Sequence, residues 1–130
     1  MTSTETRATS PEQVIERFSR HLNGGDLDAL VALYEPGAAF VPQPGTVIQG
    51  LEAIRDALQG FLALNPTLTG EIQAVVETDG IALVANRWRL DGTTSERSRV
   101  EIGGVSADVL RRQPNGSWRV LIDDPWGGGS

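Results

Sequence analysis

A single change of hydrophobic rhythm near Thr67 divides this chain in two. Before it, apolar residues recur about every 3.6 positions, the spacing of one helix face; after it they alternate at a period of about 2, the spacing of a half-buried strand. Helices first and a strand meander last predict an α+β fold: an antiparallel sheet, curved to wrap three N-terminal helices packed on one face. The 130 residues and 39% hydrophobic content suit one ordinary core, and two domains would each be too small.

In the helical half, Ser10-Pro11-Glu12-Gln13 combines a capping hydroxyl, proline at the first helical position and a glutamine three residues after the cap. It predicts a helix over 11–23 with Val14, Ile15, Phe18 and Leu22 on one face. Asn23-Gly24-Gly25 ends it and Asp26 caps a short second helix, whose stripe is Leu27, Leu30, Val31 and Tyr34, stopped by Pro36-Gly37. "AAFVP" and "TVIQG" are short strand candidates around a Pro-Gly turn. Gly50 precedes a third helix carrying Leu51, Ile54, Leu58, Phe61 and Leu62. Long strands follow at 69–78, 81–91, 98–112 and 117–124, with Asp79-Gly80, Asp91-Gly92 and Asn115-Gly116 as hairpin signals. Gly103-Gly104 is a candidate bulge or bend. Residues 1–9 read as a disordered lead-in, 10–126 as the domain and 127–130 as a flexible tail.

The formal charge of −6, with no basic stripe, disfavours nucleic acid and anionic membrane as partners. No run reaches the roughly 20 apolar residues of a membrane span and the N-terminus lacks the apolar middle of a secretory signal, so a cytoplasmic location is the default expectation. The absence of cysteine excludes a disulfide framework, a thiol nucleophile and a thiolate metal site. The one histidine, His21, cannot make a histidine-rich metal centre. No metal and no cofactor is expected.

The segment "ERFSRHLNGGDLDALVALYEPGAAFVPQPG" resembles the first two helices of ketosteroid isomerases and SnoaL-type cyclases, and "SADVLRRQPNGSWRVLIDDPW" resembles the last hairpin of that superfamily. The resemblance spans about residues 11–126. It implies the cone-shaped fold of nuclear transport factor 2 (NTF2) and an internal pocket for a small apolar molecule, and it is closest to small stand-alone members associated with polyketide and enediyne biosynthesis. Carried over residue by residue, the isomerase chemistry is incomplete. Phe18 stands where the isomerases have a tyrosine donor, and Val41-Pro42-Gln43 stands where they place a carboxylate base. Only Asp108 matches, at the position of their oxyanion-binding aspartic acid, which argues against steroid isomerisation by the familiar mechanism.

The residues themselves nominate a site. Asp108 lies among small or apolar neighbours, and burial would raise its pKa, so it could act as a neutral donor or a general base; the alternative is a solvated or structurally paired carboxylate. Counting from the Asn115-Gly116 turn, residues whose numbers sum to an odd value pair across the hairpin. That puts Ser106, Leu121 and Asp123 on the face of Asp108, with Leu110 two residues along. Asp123 could share a proton with Asp108, or else meet Arg87, Arg89 or Arg119. In "IALVANRWRL", Ala82, Val84, Asn86, Trp88 and Leu90 form the inner face, which makes Asn86 and Trp88 pocket candidates, with core packing the more ordinary reading of Trp88. Phe18 joins them on the helix side. Tyr34, ending helix two, and Gln43 in the following loop, both equally readable as packing or capping residues, and Trp126, closing the rim or packing against a partner chain, complete the substrate-binding candidates. His21 is a proton-transfer candidate or a boundary residue. The opposite face, with Val105, Val109, Trp118, Val120 and Ile122, is too apolar to leave in water, and an isologous homodimer through this outer sheet face would cover it. Three functions compete: a binding protein for a polyketide-like or other hydrophobic molecule, a cofactor-independent isomerase, cyclase or hydrolase using Asp108, and a non-catalytic association domain.

Overall fold

The structure is a computed structural model and describes residues 7–127. Helix α1 spans Pro11–Asn23, as expected. The Ser10 hydroxyl caps it by accepting from Gln13 N–H at 3.2 Å, while the Gln13 side chain accepts from Thr9 N–H at 3.0 Å. Helix α2 is Leu27–Val31, capped by Asp26 through Ala29 N–H. It stops before Tyr34, which instead opens strand β1, Tyr34–Gln43. Strand β2 is Thr46–Gln49 and α3 is Leu51–Leu62. The four long strands are β3 Thr67–Thr78, β4 Ile81–Thr93, β5 Arg99–Arg112 and β6 Trp118–Asp124.

These strands form one six-stranded sheet in the order β2-β1-β6-β5-β4-β3. All neighbours are antiparallel except β1 and β6, which run parallel, so the sheet is mixed rather than wholly antiparallel. α1 packs on β3 and β6, α3 on β1 and β2, and α2 bridges the other two helices. Asn23 ties the end of α1 to β3 twice, its amide donating to Leu68 C=O at 2.9 Å and its carbonyl accepting from Leu68 N–H at 2.6 Å. The core between helices and sheet is built on Val14, Leu30, Tyr34, Ile54, Leu58, Val84 and Leu110. The alternation read in β4 holds: Ala82, Val84, Asn86 and Leu90 are buried while Leu83, Arg87 and Arg89 are exposed.

Several local expectations are corrected. Asp91-Gly92 is not a turn; both residues pair with β5, and the reversal falls at Thr94–Ser98. Gly92 instead lets Leu64 approach, since a Cβ there would stand 2.9 Å from the Leu64 side chain. Gly103-Gly104 carries no bulge, as both pair in register with Arg89 and Trp88. A Cβ on Gly103 would meet Trp88 C=O at 2.7 Å. The hairpin β5–β6 closes through three residues, Pro114-Asn115-Gly116, with Gln113 N–H donating to Ser117 C=O and Gly116 at φ +86°. Pairs near the tip therefore sum to an even number, Leu110 with Val120 and Arg112 with Trp118. A bulge at Leu121 then restores odd sums at Val109–Ile122 and Asp108–Asp123. Trp118 and Val120, expected outside, are buried, and Leu121 is displaced from the inner face. Of the expected disordered lead-in, residues 1–6 lie outside the described residues. Ala8 is buried, and its carbonyl accepts from Trp118 N–H at 2.9 Å. Of the expected tail, 128–130 also lie outside them.

Candidate functional site

Between the helices and the inner face of the sheet lies a cavity of about 90 Å³. Its wall is mostly apolar: Val14, Ile15 and Phe18 from α1, Leu58 and Phe61 from α3, Phe40 from β1, Leu68 and Leu90 from the sheet. One side is polar, made by Asn86 of β4, Ser106 and Asp108 of β5 and Asp123 of β6. Alternation along three adjacent strands aims these side chains the same way, because Asn86 pairs with Ser106 and Asp108 with Asp123.

Ser106, Asp108 and Asp123 each have defined partners. Ser106 Oγ accepts from Asn86 N–H at 3.2 Å and donates to Asp108 Oδ2 at 2.7 Å. The Tyr34 hydroxyl donates to Asp123 Oδ2 at 2.5 Å. Burial pushes the Asp108 carboxyl well above the ordinary aspartate range, and the facing charge of Asp123 pushes it further; Ser106 and the Asp124 backbone oppose this. Burial also raises Asp123, but bonds from Asp108 and Tyr34 favour its anion. Asp108 therefore holds the proton while Asp123 ionises first. Burial, then the Asp123 charge, raises Tyr34, which stays a phenol. The arrangement presents one acid and one base, side by side, on the wall of an apolar hollow.

The C-terminal strap closes one side. Trp88 Nε1 donates to Pro125 C=O at 2.7 Å, Trp126 Nε1 to Val41 C=O at 3.0 Å, and Trp126 N–H to Asp124 Oδ1 at 3.1 Å. The two indoles meet edge to face with centroids 5.3 Å apart.

Of the residues nominated from sequence, Phe18, Asn86, Trp88, Ser106, Asp108, Asp123 and Trp126 line the cavity. Five do not. Tyr34 is buried behind Asp123 rather than at a mouth, because it begins β1. Gln43 sits exposed near the β1–β2 turn, its amide donating to Thr46 Oγ1. His21 lies in the last turn of α1, outside the wall. Leu110 is fully buried in the core, and Leu121 occupies the bulge. Phe40, Leu58 and Phe61 were missed as wall residues; their apolar spacing marks them as core and cannot separate core from cavity. Asp123 meets Tyr34 and Asp108 rather than an arginine. Arg89 pairs with Asp91 and Glu101, and Arg111 with Glu35. Among the described residues no cluster of histidine or acidic side chains is placed to hold a metal ion, and no helix is long and apolar enough to cross a membrane.

Helices packed on one face of a mixed sheet, enclosing a hollow with an acidic wall, give this α+β domain the NTF2-like fold. More narrowly, the chain belongs to the SnoaL-like domain family, whose sequence profile matches residues 15–120. No protein of curated function matches the sequence. Among solved structures, an NTF2-like superfamily protein from Salmonella enterica serovar Typhimurium superposes with a TM-score of 0.78 at 17% identity, covering 91% of this chain and 88% of the other. A ketosteroid isomerase-like protein from Erwinia carotovora atroseptica gives 0.76 at 17% identity, covering 86% and 88%. SalBIII, described as an epoxide hydrolase/cyclase-like enzyme in pyran ring formation in polyether salinomycin, gives 0.63 at 22% identity, covering 86% and 85%. At these identities the likeness establishes the fold alone.

Proposed function

We propose that this chain binds a small, largely apolar molecule in the cavity, of polyketide-like or other hydrophobic chemistry. The observation that carries this is a hollow whose wall is apolar on the helix side and polar at one pole, the composition expected of a ligand site rather than of a packing defect. Titrating intrinsic tryptophan fluorescence with hydrophobic ring compounds tests it, because Trp88 and Trp126 stand in the wall. Saturable quenching or enhancement supports the reading, and its absence across the series removes it.

The Asp108–Asp123 pair favours a second reading, a cofactor-independent isomerase, cyclase or hydrolase. With one carboxyl protonated and its neighbour ionised, the pair can give a proton to one atom of a bound molecule and take one from another, with no net change in its own charge. Turnover that disappears in Asp108→Asn while binding persists would support it; binding with no turnover in either protein would support the carrier.

The homodimer proposal keeps the outer sheet face but not all of the residues first expected on it. With Trp118 and Val120 turned inward, the outer sheet still carries a row of paired neighbours across four strands, Val76, Leu83, Val109 and Ile122. Val76, Leu83 and Ile122 are 63%, 48% and 41% exposed, which is unfavourable unless covered. We assign a second copy to this row and a cytoplasmic location to the protein.

A further inference from the structure

The polar pole of the cavity is one-sided in its hydrogen-bonding capacity. Ser106 uses its proton on Asp108 Oδ2 and accepts from Asn86 N–H. Two fully buried side-chain atoms have no partner, Asn86 Oδ1 and Asp108 Oδ1, and both are oxygens. The Asp108 carboxyl has an internal use for its second oxygen, because it faces Asp123 across the strand pair and a shared proton can lie between them. Asn86 has no such neighbour. It is 9% exposed, and the missing side chain at Gly70 gives its amide space: a Cβ there would stand 3.0 Å from Nδ2 and 3.2 Å from Oδ1. A buried carbonyl left without a donor is unfavourable, so a molecule that brings one is selected over a molecule that does not.

Size and charge narrow the class further. At about 90 Å³ the cavity is below the roughly 150 Å³ apolar hollow that accommodates benzene, so a single ring is the most it can take and a fused pair is excluded. An anion would stand beside the ionised Asp123; the charge of Asp123 is already met by Tyr34 and Asp108, so a cation would leave water for a wall of leucine and phenylalanine with little return.

Resting on the ligand-site reading above, we propose that the molecule bound is neutral, of single-ring size, and carries a hydroxyl group that donates to Asn86 Oδ1 while its ring lies against Phe18, Phe61 and Trp88.

The test is a fluorescence titration of the full chain with cyclohexanol, cyclohexanone, methylcyclohexane, cyclohexylamine and decahydro-2-naphthol. These share a saturated ring and differ in donor, charge and size. Cyclohexanol is expected to bind at least roughly tenfold more tightly than each of the others, the scale of leaving one buried acceptor unmet. In Asn86→Leu, checked for an unchanged melting transition, the preference over cyclohexanone and methylcyclohexane should disappear while ring binding remains. Equal affinity for cyclohexanol and cyclohexanone in the unaltered protein would overturn the donor assignment and leave the ligand site intact. Tighter binding of the amine or of the fused-ring alcohol would overturn the charge or size assignment in the same way. Failure of all five to bind would overturn both this proposal and the ligand-site reading beneath it.

Discussion

Asp108 and Asp123 stand directly opposite one another across β5 and β6, with the Tyr34 hydroxyl reaching Asp123 from behind at 2.5 Å and Ser106 reaching Asp108 at 2.7 Å. Two carboxyls this close in an apolar setting cannot both ionise cheaply, so one proton stays between them. The surrounding hydroxyls decide where the charge sits. Tyr34 favours the anion on Asp123, which leaves Asp108 as the acid.

The first prediction concerns pH. Asp108 has a folded pKa raised above its unfolded value of about 3.9, so the native state binds the proton more tightly and stability falls as pH rises from there through the raised value. Asp108→Asn keeps the shape, can still accept from Ser106 and donate toward Asp123, and does not titrate. Its stability should decline less than that of the unaltered protein between pH 5 and pH 9, measured as chemical denaturation midpoints at each pH. Parallel declines would show that the proton is not held at this position.

Removing the tyrosine hydroxyl in Tyr34→Phe leaves Asp123 without its shortest donor. The cost should be about 1–3 kcal/mol near neutral pH, where the anion loses a charge-assisted bond, and should shrink in acid. Urea unfolding at pH 7 and pH 4 measures both. A loss independent of pH would indicate packing alone, since the ring also contacts Phe18 and Phe40.

Glu35 gives the opposite sign. Bonds from Arg111 at 2.5 and 2.8 Å and from Gln113 at 2.9 Å hold its carboxyl below the ordinary glutamate range. Its contribution is present above the unfolded value and is lost as pH falls through the folded one. Glu35→Gln should lower the melting temperature at pH 7 and have little effect in strong acid, by calorimetry.

Trp126→Ala should open the rim of the cavity without unfolding the sheet, because the indole's partners are Trp88 and the Val41 carbonyl rather than the central core. Ligand dissociation, followed by stopped-flow fluorescence of Trp88, should accelerate about tenfold for a loss near 1.4 kcal/mol.

The outer row gives the last prediction. Leu83→Lys combined with Ile122→Lys places two charges on the proposed self-contact, and light scattering at micromolar concentration should move from a dimer mass to a monomer mass with the fold retained by circular dichroism. A monomeric unaltered protein would remove the dimer.

Much of the architecture was legible in local pattern. The bounds of α1, the existence of α3, the four long strands and the inward face of β4 follow from spacing, caps and turn residues, because each depends on neighbours a few positions away. The Asp108–Asp123 pairing was also anticipated, but through two departures that cancel. The turn has three central residues, not two, and the bulge at Leu121 adds one more on β6. Between those points the inner and outer faces are exchanged, which is why Val120 lines the cavity and Leu121 does not.

Periodicity, capping and charge settled that this chain makes one α+β domain with an acid on an apolar strand face. They could not settle which core-facing side chains pack against each other and which leave a space, since both look the same along a strand. That was decided when β1 joined β6 in parallel and carried Tyr34 to Asp123, and when the C-terminal strap folded over Trp88. Contacts between residues about 90 positions apart depend on how whole elements dock, and local sequence carries no record of that docking.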